Sequence, residues 1–574
     1  MLSGISDSCG ESRSSGLWGG SRGGSNGGRG AKGRAVAALL LLVLSAPLVA
    51  SAGSKHSAST SYLAPALTQV AQSTPDRDVP VIVMSDNGAE RAQKALGDFA
   101  DSSTRLPIVD GAAAEVRAGD LPELAQAPGL AIVPDEPVAL DGLGGGKHVG
   151  NAPYSSTELW PAAVGADKLW PLLQGRKPGD GLGAPTIAFV DSGIDAGRTD
   201  FAGRLLAQVN LTSLPGNSPG DGRGHGTFVA GLAAGAAPKH VGAAPTSGIV
   251  SIDVMDDQGM ARTSDVIAGA QWILKNHDEY NIRVANFSLH SETPSSFRWD
   301  PLDKALEKLW FNGVVVVTSA GNEGVNGQQM RIANAPGNDP FLITVGALDI
   351  RGSTSPDHAA VPDWSSWGYT YDGFAKPEVS APGRSLLGPI PANASLAHER
   401  PGQLVHTPDG LYMRLSGTSL STPIVSGIAA DILALHPRFT PDQVKGALML
   451  GARPVARATS FSAGVGEPFA PLAAMFSSPP NPNRALDAFL APDPEGDGVM
   501  FDDAAWLATV EASPAWDSVS WSDGWAGVAW SLVSWSDVSW SDVSWSDVSW
   551  SDVSWSDVSW TDVSWESVYG DVDR

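Results

Sequence analysis

The sequence has little cysteine and few basic residues for a length of 574 residues. Its one cysteine, Cys9, excludes a disulfide framework and a cysteine-ligated zinc site within the chain. The 37 lysines and arginines stand against 62 aspartates and glutamates, which gives a formal net charge of -25. Because a negative field repels phosphates, we expect no nucleic acid among the partners. The His-Glu-x-x-His motif of zinc proteases is absent as well.

Long apolar runs are also rare, and the one that stands out lies near the start. A basic, glycine- and serine-rich stretch over 1–34 precedes the apolar residues 35–50, and an Ala-Ser-Ala pattern follows. This order is typical of a secretory signal peptide. The run contains Pro47 and is shorter than the roughly 20 residues that a spanning helix needs. We predict a signal peptide over 1–52 and a secreted or cell-surface protein, with a retained membrane anchor as the alternative.

The next part of the sequence predicts a small domain between two linkers. Residues 53–77 are rich in serine, alanine and threonine, and residues 141–154 are rich in glycine, so we predict a linker over each. Residues 78–140 between them alternate strand and helix patterns, which indicates a small α+β unit. The predicted strands are 79–84, 108–116 and 130–133, and the predicted helices are 89–100 and 121–127.

Residues 155–492 show a different alternation, with continuous apolar runs separated by helical patterns. Such runs are typical of strands buried on both faces, so we predict a parallel sheet with helices on each side, a doubly wound α/β fold. One helical pattern spans 264–274, with Ser264 as its predicted N-cap. Chemistry in these sheets lies at the carboxyl ends of the strands. The predicted strands are 186–190, 249–254, 314–317 and 341–345.

Three short motifs carry the candidate catalytic residues. Asp191 ends the first apolar run, within Val-Asp-Ser-Gly-Ile-Asp, and His225 lies in Gly-His-Gly-Thr at the start of an apolar helix. Ser419 lies in Ser-Gly-Thr-Ser, before another apolar helix. Each motif alone would be an ordinary cap or turn. Together they follow the order Asp, His, Ser, which is one of the known chain orders of the catalytic triad.

These blocks resemble the signature motifs of the subtilases, the subtilisin-like serine proteases. Residues 318–324 are similar to the segment that supplies the oxyanion hole in that family, and residues 376–383 to a turn that precedes the serine. The resemblance covers roughly residues 155–490. It implies a subtilisin-like fold and a hydrolase that cuts peptide bonds in a protein or peptide substrate.

The resemblance also implies a role for each residue. His225 would take the proton of Ser419 while Asp191 holds the imidazole, and Asn322 would bind the developing oxyanion. His290 stands where relatives usually have glycine, and either contacts the substrate cleft or is a solvent-facing loop residue. The residues implied to bind substrate are Ser288 and Leu289 on one side, and Ser319, Ala320 and Gly321 on the other.

A structural metal and an internal inhibitor are further implications of the resemblance. Catalysis needs no cofactor, but Asp200 stands where a relative supplies a calcium ligand, with an N-cap or a surface charge as the alternative. Residues 78–140 resemble the inhibitor-type propeptide of the family, which assists folding, blocks the cleft and is cut off. We expect the cut between residues 140 and 160. An unrelated binding domain is the alternative for this unit.

The tail repeats the unit Trp-Ser-Asp-Val-Ser over residues 516–574, after a predicted linker at 493–515. Eleven of the twenty tryptophans lie between Trp516 and Trp565. A period of five fits neither a helix nor a strand, so repetitive β structure and a disordered tail both stay open. Regularly spaced tryptophans favour contact with a cell-surface polymer, and a solubilising tail is the alternative.

Two functions of different class therefore remain for the whole chain. The first is a secreted serine endopeptidase made as a zymogen, with its own propeptide as cleft inhibitor. The second is a catalytically inactive subtilase-fold binding protein that displays the tryptophan repeats. The presence of Asp191, His225, Asn322 and Ser419 favours the enzyme.

Overall fold

The computed structural model describes residues 61–140, 158–175, 184–459, 461–493 and 498–511. All of them fall in one compact unit that begins at Ala58. The predicted signal peptide, the linker at 141–154 and the repeat tail lie outside the described residues, so these remain predictions.

Residues 61–140, here called the small unit, form a five-stranded sheet in the order β1-β5-β2-β4-β3. Helix α2 packs against β2 and β4. The sixth strand leaves this sheet and pairs with the rest of the chain. The elements are β1 (Tyr62–Leu63), α1 (Pro65–Ser73), β2 (Asp78–Ser85), α2 (Ala89–Leu96), β3 (Ser103–Leu106), β4 (Gly111–Arg117), α3 (Leu121–Leu124), β5 (Leu130–Pro134) and β6 (Pro137–Leu140).

The small unit begins earlier than the sequence predicts. The linker prediction for 53–77 is wrong over its second half, because β1 pairs with β5 and α1 follows it. Pro65 at the first helical position favours the start of α1, and Leu67 buries its side chain in the core. The predicted strand at 108–116 is interrupted by a 3₁₀ turn, Pro107–Val109, and Asp110 follows in the left-handed conformation.

Residues 158–511, here called the large unit, contain a parallel sheet of seven strands in the order β15-β14-β13-β11-β7-β9-β8. The predicted strands are confirmed to within three residues at their ends. Every residue of β7, β13 and β14 is buried, as expected for strands covered on both faces. The strands used below are β7 (Thr186–Asp191), β8 (Leu205–Asn210), β9 (Ile249–Asp253), β10 (Met260–Arg262), β11 (Ile282–Phe287), β12 (Leu289–Ser291), β13 (Val315–Ser319), β14 (Ile343–Leu348) and β15 (Val379–Pro382).

Two pairs of helices cover this sheet. Helices α7 and α8 pack against each other, and α6 packs against α10. Of the described helices, only α10 is long and apolar enough to cross a membrane, and 94% of it is buried inside the fold, as in a core helix. The helices are α4 (Trp160–Ala163), α5 (Ala166–Leu173), α6 (His225–Ala234), α7 (Thr263–Tyr280), α8 (Pro301–Phe311), α9 (Ser395–Glu399), α10 (Thr418–Leu435), α11 (Pro441–Leu450), α12 (Ala470–Ala473) and α13 (Asp503–Glu511).

The large unit also extends further than the predicted boundary at residue 492. Strand Leu490–Pro492 pairs with Val499–Phe501, and α13 follows. The linker prediction for 493–515 is therefore wrong as far as residue 511. Trp506 is fully buried against Phe297, which holds this segment on the core. The remaining small ladders are Ala236–Ala237 with His240–Val241, Met330–Arg331 with Gly368–Tyr369 and Ala375–Lys376, Leu386–Pro389 with Leu404–Thr407 and Gly410–Leu415, and Ala452–Arg453 with Glu467–Pro468.

Candidate active site

The structure brings Asp191 and His225 into direct contact at the carboxyl end of the sheet. Asp191 is the last residue of β7 and His225 is the first residue of α6. Nδ1 of His225 lies 2.8 and 3.0 Å from the two carboxylate oxygens, and both side chains are buried. Nε2 of His225 has no hydrogen-bond partner among the described residues. The pair is thus oriented with one ring nitrogen held and the other available.

Glycines allow this close approach between β7 and α6. Gly193 has φ 95°, and a Cβ atom there would lie 1.9 Å from the carbonyl oxygen of Gly220. A Cβ atom on Gly226 would lie 2.1 Å from the carbonyl oxygen of Gly193. The glycines of the Val-Asp-Ser-Gly and Gly-His-Gly motifs are therefore steric requirements of the site.

The sequence analysis did not identify Asp221, a buried aspartate that binds the start of the helix where His225 lies. Its carboxylate accepts hydrogen bonds from the backbone N–H groups of Gly224 and Thr227 at 2.6 and 2.8 Å, and from Oγ of Ser192 at 2.9 Å. It thereby satisfies N–H groups at the start of α6. Burial raises the pKa of Asp221 to about 7. An aspartate shortly before a predicted helix was the available signal.

Ser419 and Asn322 meet around Gly417. Ser419 is the second residue of α10, where backbone N–H groups lack helical partners. A Cβ atom on Gly417 would lie 3.0 Å from Oγ of Ser419 and 3.4 Å from Nδ2 of Asn322. The Asn322 carbonyl accepts a hydrogen bond from the N–H of Thr418 at 2.9 Å, which orients the amide. Neither Oγ of Ser419 nor Nδ2 of Asn322 has a hydrogen-bond partner within the part of the chain that the structure describes.

The five residues predicted to contact substrate do not all have the same place in the structure. Ser319, Ala320 and Gly321 line a pocket, and Leu289 lies in β12, a strand that pairs with β6. Ser288 differs, because its Oγ is buried and donates to the carbonyl oxygen of Ser419 at 2.9 Å. Its side chain therefore supports the nucleophile from inside the fold.

His290 is a strand residue of the same pocket. It lies in β12 opposite Ala139, and its side chain is only 18% exposed. Nε2 of His290 is 4.0 Å from Oε1 of Glu323, another residue that lines the pocket. The alternative of a solvent-facing loop histidine is therefore wrong.

Strand β6 of the small unit occupies a groove of the large unit. It pairs antiparallel with β10 on one side and with β12 on the other. Leu140 is opposite Leu289, and Val138 is opposite Ser291 with its side chain fully buried. The last described residue of the small unit, Leu140, is thus opposite the chain neighbour of Ser288.

Asp135 anchors the small unit on helix α7. Its carboxylate accepts hydrogen bonds from the N–H of Ser264 at 2.9 Å and from its Oγ at 2.7 Å. The prediction of Ser264 as N-cap is wrong, because α7 begins at Thr263 and Ser264 is already helical. An N–H group of the first turn is satisfied by a carboxylate from the small unit instead.

The contacts of Asp200 do not fit a calcium ion. The side chain is buried, and one carboxylate oxygen accepts a hydrogen bond from the hydroxyl of Tyr412. Nε of Arg198 donates to the other oxygen at 3.0 Å. A guanidinium thus lies where calcium would need oxygen ligands. The described residues also contain no group of three or more His, Cys, Asp or Glu side chains that could hold a metal ion.

Comparisons with known proteins bear on the family of the chain. The model of the subtilase family, Peptidase_S8, matches residues 183–466. Subtilisin of Bacillus pumilus is 32% identical over 264 residues, which cover 46% of this chain and 81% of that protein. Serine protease AprX of Bacillus subtilis strain 168 is 33% identical over 275 residues, which cover 46% of this chain and only 60% of AprX.

A solved structure supports the fold. Fervidolysin from Fervidobacterium pennivorans, described as a keratinolytic enzyme related to subtilisin, aligns with a TM-score of 0.55 at 23% identity. The alignment covers 71% of this chain and 62% of fervidolysin. The sequence matches, the doubly wound sheet and the arrangement of the Asp, His, Asn and Ser motifs lead to one conclusion: the chain belongs to the subtilase family.

Proposed function

We propose that the chain is a secreted serine endopeptidase that is made as a zymogen. The observation that carries this proposal is the Asp191–His225 pair, whose second ring nitrogen has no partner among the described residues. Oγ of Ser419 and Nδ2 of Asn322 are likewise buried without a partner in the described part of the chain. Buried polar groups are normally satisfied, so these atoms suit a reacting group that arrives with the substrate.

In the proposed mechanism, Oγ of Ser419 attacks the carbonyl carbon of the scissile bond while Nε2 of His225 accepts its proton. Asp191 stabilises the imidazolium, and the oxyanion binds to Nδ2 of Asn322 and to the N–H of Ser419. His225 then donates the proton to the leaving amine, which breaks the carbon–nitrogen bond. Water attacks the acyl group, His225 accepts a proton from it, and Ser419 leaves with that proton.

The zymogen part of the proposal rests on β6. This strand fills the groove between β10 and β12 by backbone hydrogen bonding, as an extended substrate would. Leu140, opposite Leu289, is its last residue. We therefore place the activating cut directly after this strand, at the start of the range 140–160. The small unit would then block the cleft until it is released.

The remaining parts of the proposal rest on the sequence. Secretion follows from the signal-peptide pattern over 1–52, and binding of the tail to a cell-surface polymer follows from the tryptophan spacing over 516–574. Catalysis requires no cofactor in this mechanism, and a structural calcium ion at Asp200 is not part of the proposal. No observation favours the inactive binding protein, because all four residues of the mechanism are present in the sequence.

The test is covalent labelling with a fluorophosphonate, followed by mass spectrometry of the secreted protein. We expect one adduct on Ser419 of the wild type, and a wild-type chain that has lost the small unit. The Ser419→Ala chain should fold, remain unlabelled and keep the small unit. Ser355→Ala, which changes a serine outside the site, is the matched control and should behave as the wild type. A folded, mature wild type without an adduct would overturn the proposal.

A further inference from the structure

Arg223 lies beside the groove that β6 occupies and has a buried nitrogen without a partner. Nε of Arg223 has no hydrogen-bond partner among the described residues, and the side chain is only 16% exposed. Buried donors are normally satisfied, and one that stays unpaired disfavours the state that leaves it so. Arg223 comes two positions before His225, so this donor lies close to the candidate catalytic site. It therefore suits a group that the substrate brings.

Helix α9 holds the guanidinium group of Arg223 in place. Nη1 donates to Oγ of Ser395 at 3.0 Å and to Oε1 of Glu399 at 2.5 Å. The backbone is tied as well, because the N–H of Leu396 donates to the carbonyl oxygen of Arg223 at 3.3 Å. The guanidinium group is thus positioned through Nη1, and Nε is left without an acceptor.

The charges around Arg223 balance, so Nε needs a hydrogen bond rather than a counter-charge. Burial lowers the pKa of Arg400, and its neighbours act on it in opposite directions, Glu399 raising it and Arg223 lowering it. A Cβ atom on Gly222 would lie 1.7 Å from Oδ1 of Asp257, which brings a second carboxylate to this segment. Two arginines and two acids thus lie together here, and a neutral amide oxygen suits Nε better than a third carboxylate.

The last residue of β6 places an apolar side chain at this nitrogen. A Cβ atom on Gly259 would lie 2.8 Å from Cδ1 of Leu140 and 3.3 Å from Nε of Arg223, so both side chains border the same small space. The N–H of Leu140 also donates to the carbonyl oxygen of Gly259 at 3.2 Å, as the backbone of a substrate strand would. Leucine has no side-chain atom that accepts a hydrogen bond. The small unit therefore covers the donor without satisfying it.

We propose that Arg223 is a specificity-determining residue, and that the subsite which it forms with Gly259 binds a glutamine side chain of the substrate at the position of Leu140. The inference rests on the proposed endopeptidase function, because a substrate strand would enter the groove in place of β6. The amide oxygen of the glutamine accepts a hydrogen bond from Nε of Arg223. Cleavage follows the mechanism proposed above, and Arg223 affects which protein or peptide is cut.

Leucine at this position leaves the donor unpaired, and glutamine does not. When no strand occupies the groove, water can accept a hydrogen bond from Nε. A leucine side chain excludes that water and supplies no acceptor, whereas glutamine replaces it. Such a site discriminates strongly, because a substrate without the polar group leaves a buried charged donor unpaired. The small unit, with Leu140, would thus bind less tightly than a matched strand and leave more readily after the cut.

The test compares four quenched fluorogenic peptides that span residues 134–145 of the sequence and carry Gln, Met, Leu or Glu at the position of Leu140. With the mature wild type we expect kcat/KM for Gln to exceed that for Met, which has a similar shape, by about 10- to 100-fold, as for a hydrogen bond to a charged group. Glu should not exceed Gln. Arg223→Met, and Arg223→Lys, which keeps a cation but has no Nε, should each bring the ratio of Gln to Met to about one. Arg438→Gln removes an exposed arginine between α10 and α11 and should keep the wild-type ratio.

The outcomes separate this inference from the function on which it rests. Fluorophosphonate labelling of Ser419 together with a wild-type ratio of Gln to Met near one would overturn the glutamine preference and leave the endopeptidase intact. Faster cleavage of the Glu peptide than of the Gln peptide would overturn the choice of a neutral acceptor. An unchanged ratio in Arg223→Met and Arg223→Lys would overturn the role of Arg223. Absence of labelling and of all cleavage would overturn both proposals.

Release of the small unit supplies a second readout that uses the full chain. Leu140→Gln gives the small unit the missing acceptor, so after the cut it should stay bound about 10- to 100-fold longer. The measurement is the delay between appearance of the cut chain on a gel and appearance of peptidase activity. Leu172→Gln places the same side chain at an exposed position of α5 and should leave the delay unchanged. A wild-type delay in the Leu140→Gln chain would contradict the proposal.

Discussion

Asp191 and Asp200 lie in two neighbouring regions of the large unit, and each pairs with a basic side chain. The first pair belongs to the candidate catalytic site, whereas the second is structural. Both carboxylates are buried, and each bonds to a basic side chain, His225 for the first and Arg198 for the second. Each carboxylate oxygen of Asp200 has a partner within the fold, Arg198 on one and the hydroxyl of Tyr412 on the other. Around Asp191 the chain of bonds stops at Nε2 of His225. The comparison indicates that chemistry is located where a buried network is left open, and that a closed network is structural.

A third region, around Asp303 and Glu307, shows that unpartnered buried atoms alone do not make a catalytic site. Both carboxylate oxygens of Asp303 and one of Glu307 also lack hydrogen-bond partners among the described residues. Burial, together with the neighbouring acids, raises the pKa of both groups well above the ordinary range. None of the groups with the largest effects on these two carboxyl groups is a histidine. An open network becomes a candidate site only when a base and a nucleophile adjoin it.

The largest expected effect comes from removing His225, whose Nε2 is the end of the Asp191 network without a partner among the described residues. His225→Ala should slow release of the small unit by about a million-fold, the size of loss measured for the corresponding histidine of a subtilisin, a relative of this chain. The reason is that Ser419 loses its base while the oxyanion site remains. The rate is measured by the appearance of the mature chain on a gel, because an uncut chain keeps its cleft blocked.

His358→Ala is the control, since it removes an exposed histidine of a surface loop. Its rate should equal that of the wild type. A His225→Ala chain that processes at a tenth of the wild-type rate would show that the Asp191–His225 pair is structural, like the pair at Asp200.

Breaking the closed network around Asp200 should instead lower the stability of the folded chain. Arg198→Ala leaves Asp200 buried without its cation and should lower the free energy of unfolding by about 3–5 kcal/mol. The measurement is urea unfolding in the Ser419→Ala background, which prevents self-digestion. Arg384→Ala breaks an Arg–Asp pair of nearly equal length, 3.1 Å against 3.0 Å, but an exposed one. It should cost less than about 1 kcal/mol. Equal losses in the two variants would contradict the distinction between them.

The oxyanion site should show an effect of intermediate size and of a different kind. Asn322→Leu should lower kcat by about 100- to 1,000-fold with little change in KM, because its Nδ2 bonds only to the developing oxyanion. This magnitude is also one measured on a subtilisin. Steady-state kinetics on a peptide substrate separates the two constants. Asn276→Leu on α7 is the control. A loss carried by KM would show that Asn322 binds the ground state instead.

The candidate catalytic residues could be named from the sequence because each lies in a motif whose pattern is local. Asp191 ends a strand, and His225 and Ser419 each begin a helix, so the pattern of neighbouring residues carries the signal. Asp135 and Arg198 could not be found in this way. Their partners, Ser264 and Asp200 with Tyr412, come together only through the tertiary fold.

The wrong domain boundaries have a similar cause. Residues 62–73 lie in a stretch rich in serine, alanine and threonine, and residues 498–511 follow the acidic residues 493–497, so both fall within predicted linkers. Leu67 and Trp506 are nevertheless buried against cores that the rest of the chain builds. A single buried side chain can hold a short element in place, and composition over a window does not detect it.

The smallest expected effect concerns Glu136, a carboxyl group that belongs neither to the network around Asp200 nor to the candidate catalytic site. Burial against the large unit raises its pKa from 4.5 to about 7. The folded state therefore binds a proton that the unfolded state releases, so this group contributes stability that is complete below about pH 4.5 and is lost as pH rises to about 7. Glu136→Gln mimics the protonated form. In the Ser419→Ala background, its advantage in unfolding free energy over the parent should grow between pH 4.5 and 7 and then stay constant. Glu115→Gln changes an exposed glutamate of the same unit and should show no such trend. An advantage that does not vary with pH would show that Glu136 has the same pKa in the folded and unfolded states, and would contradict this prediction.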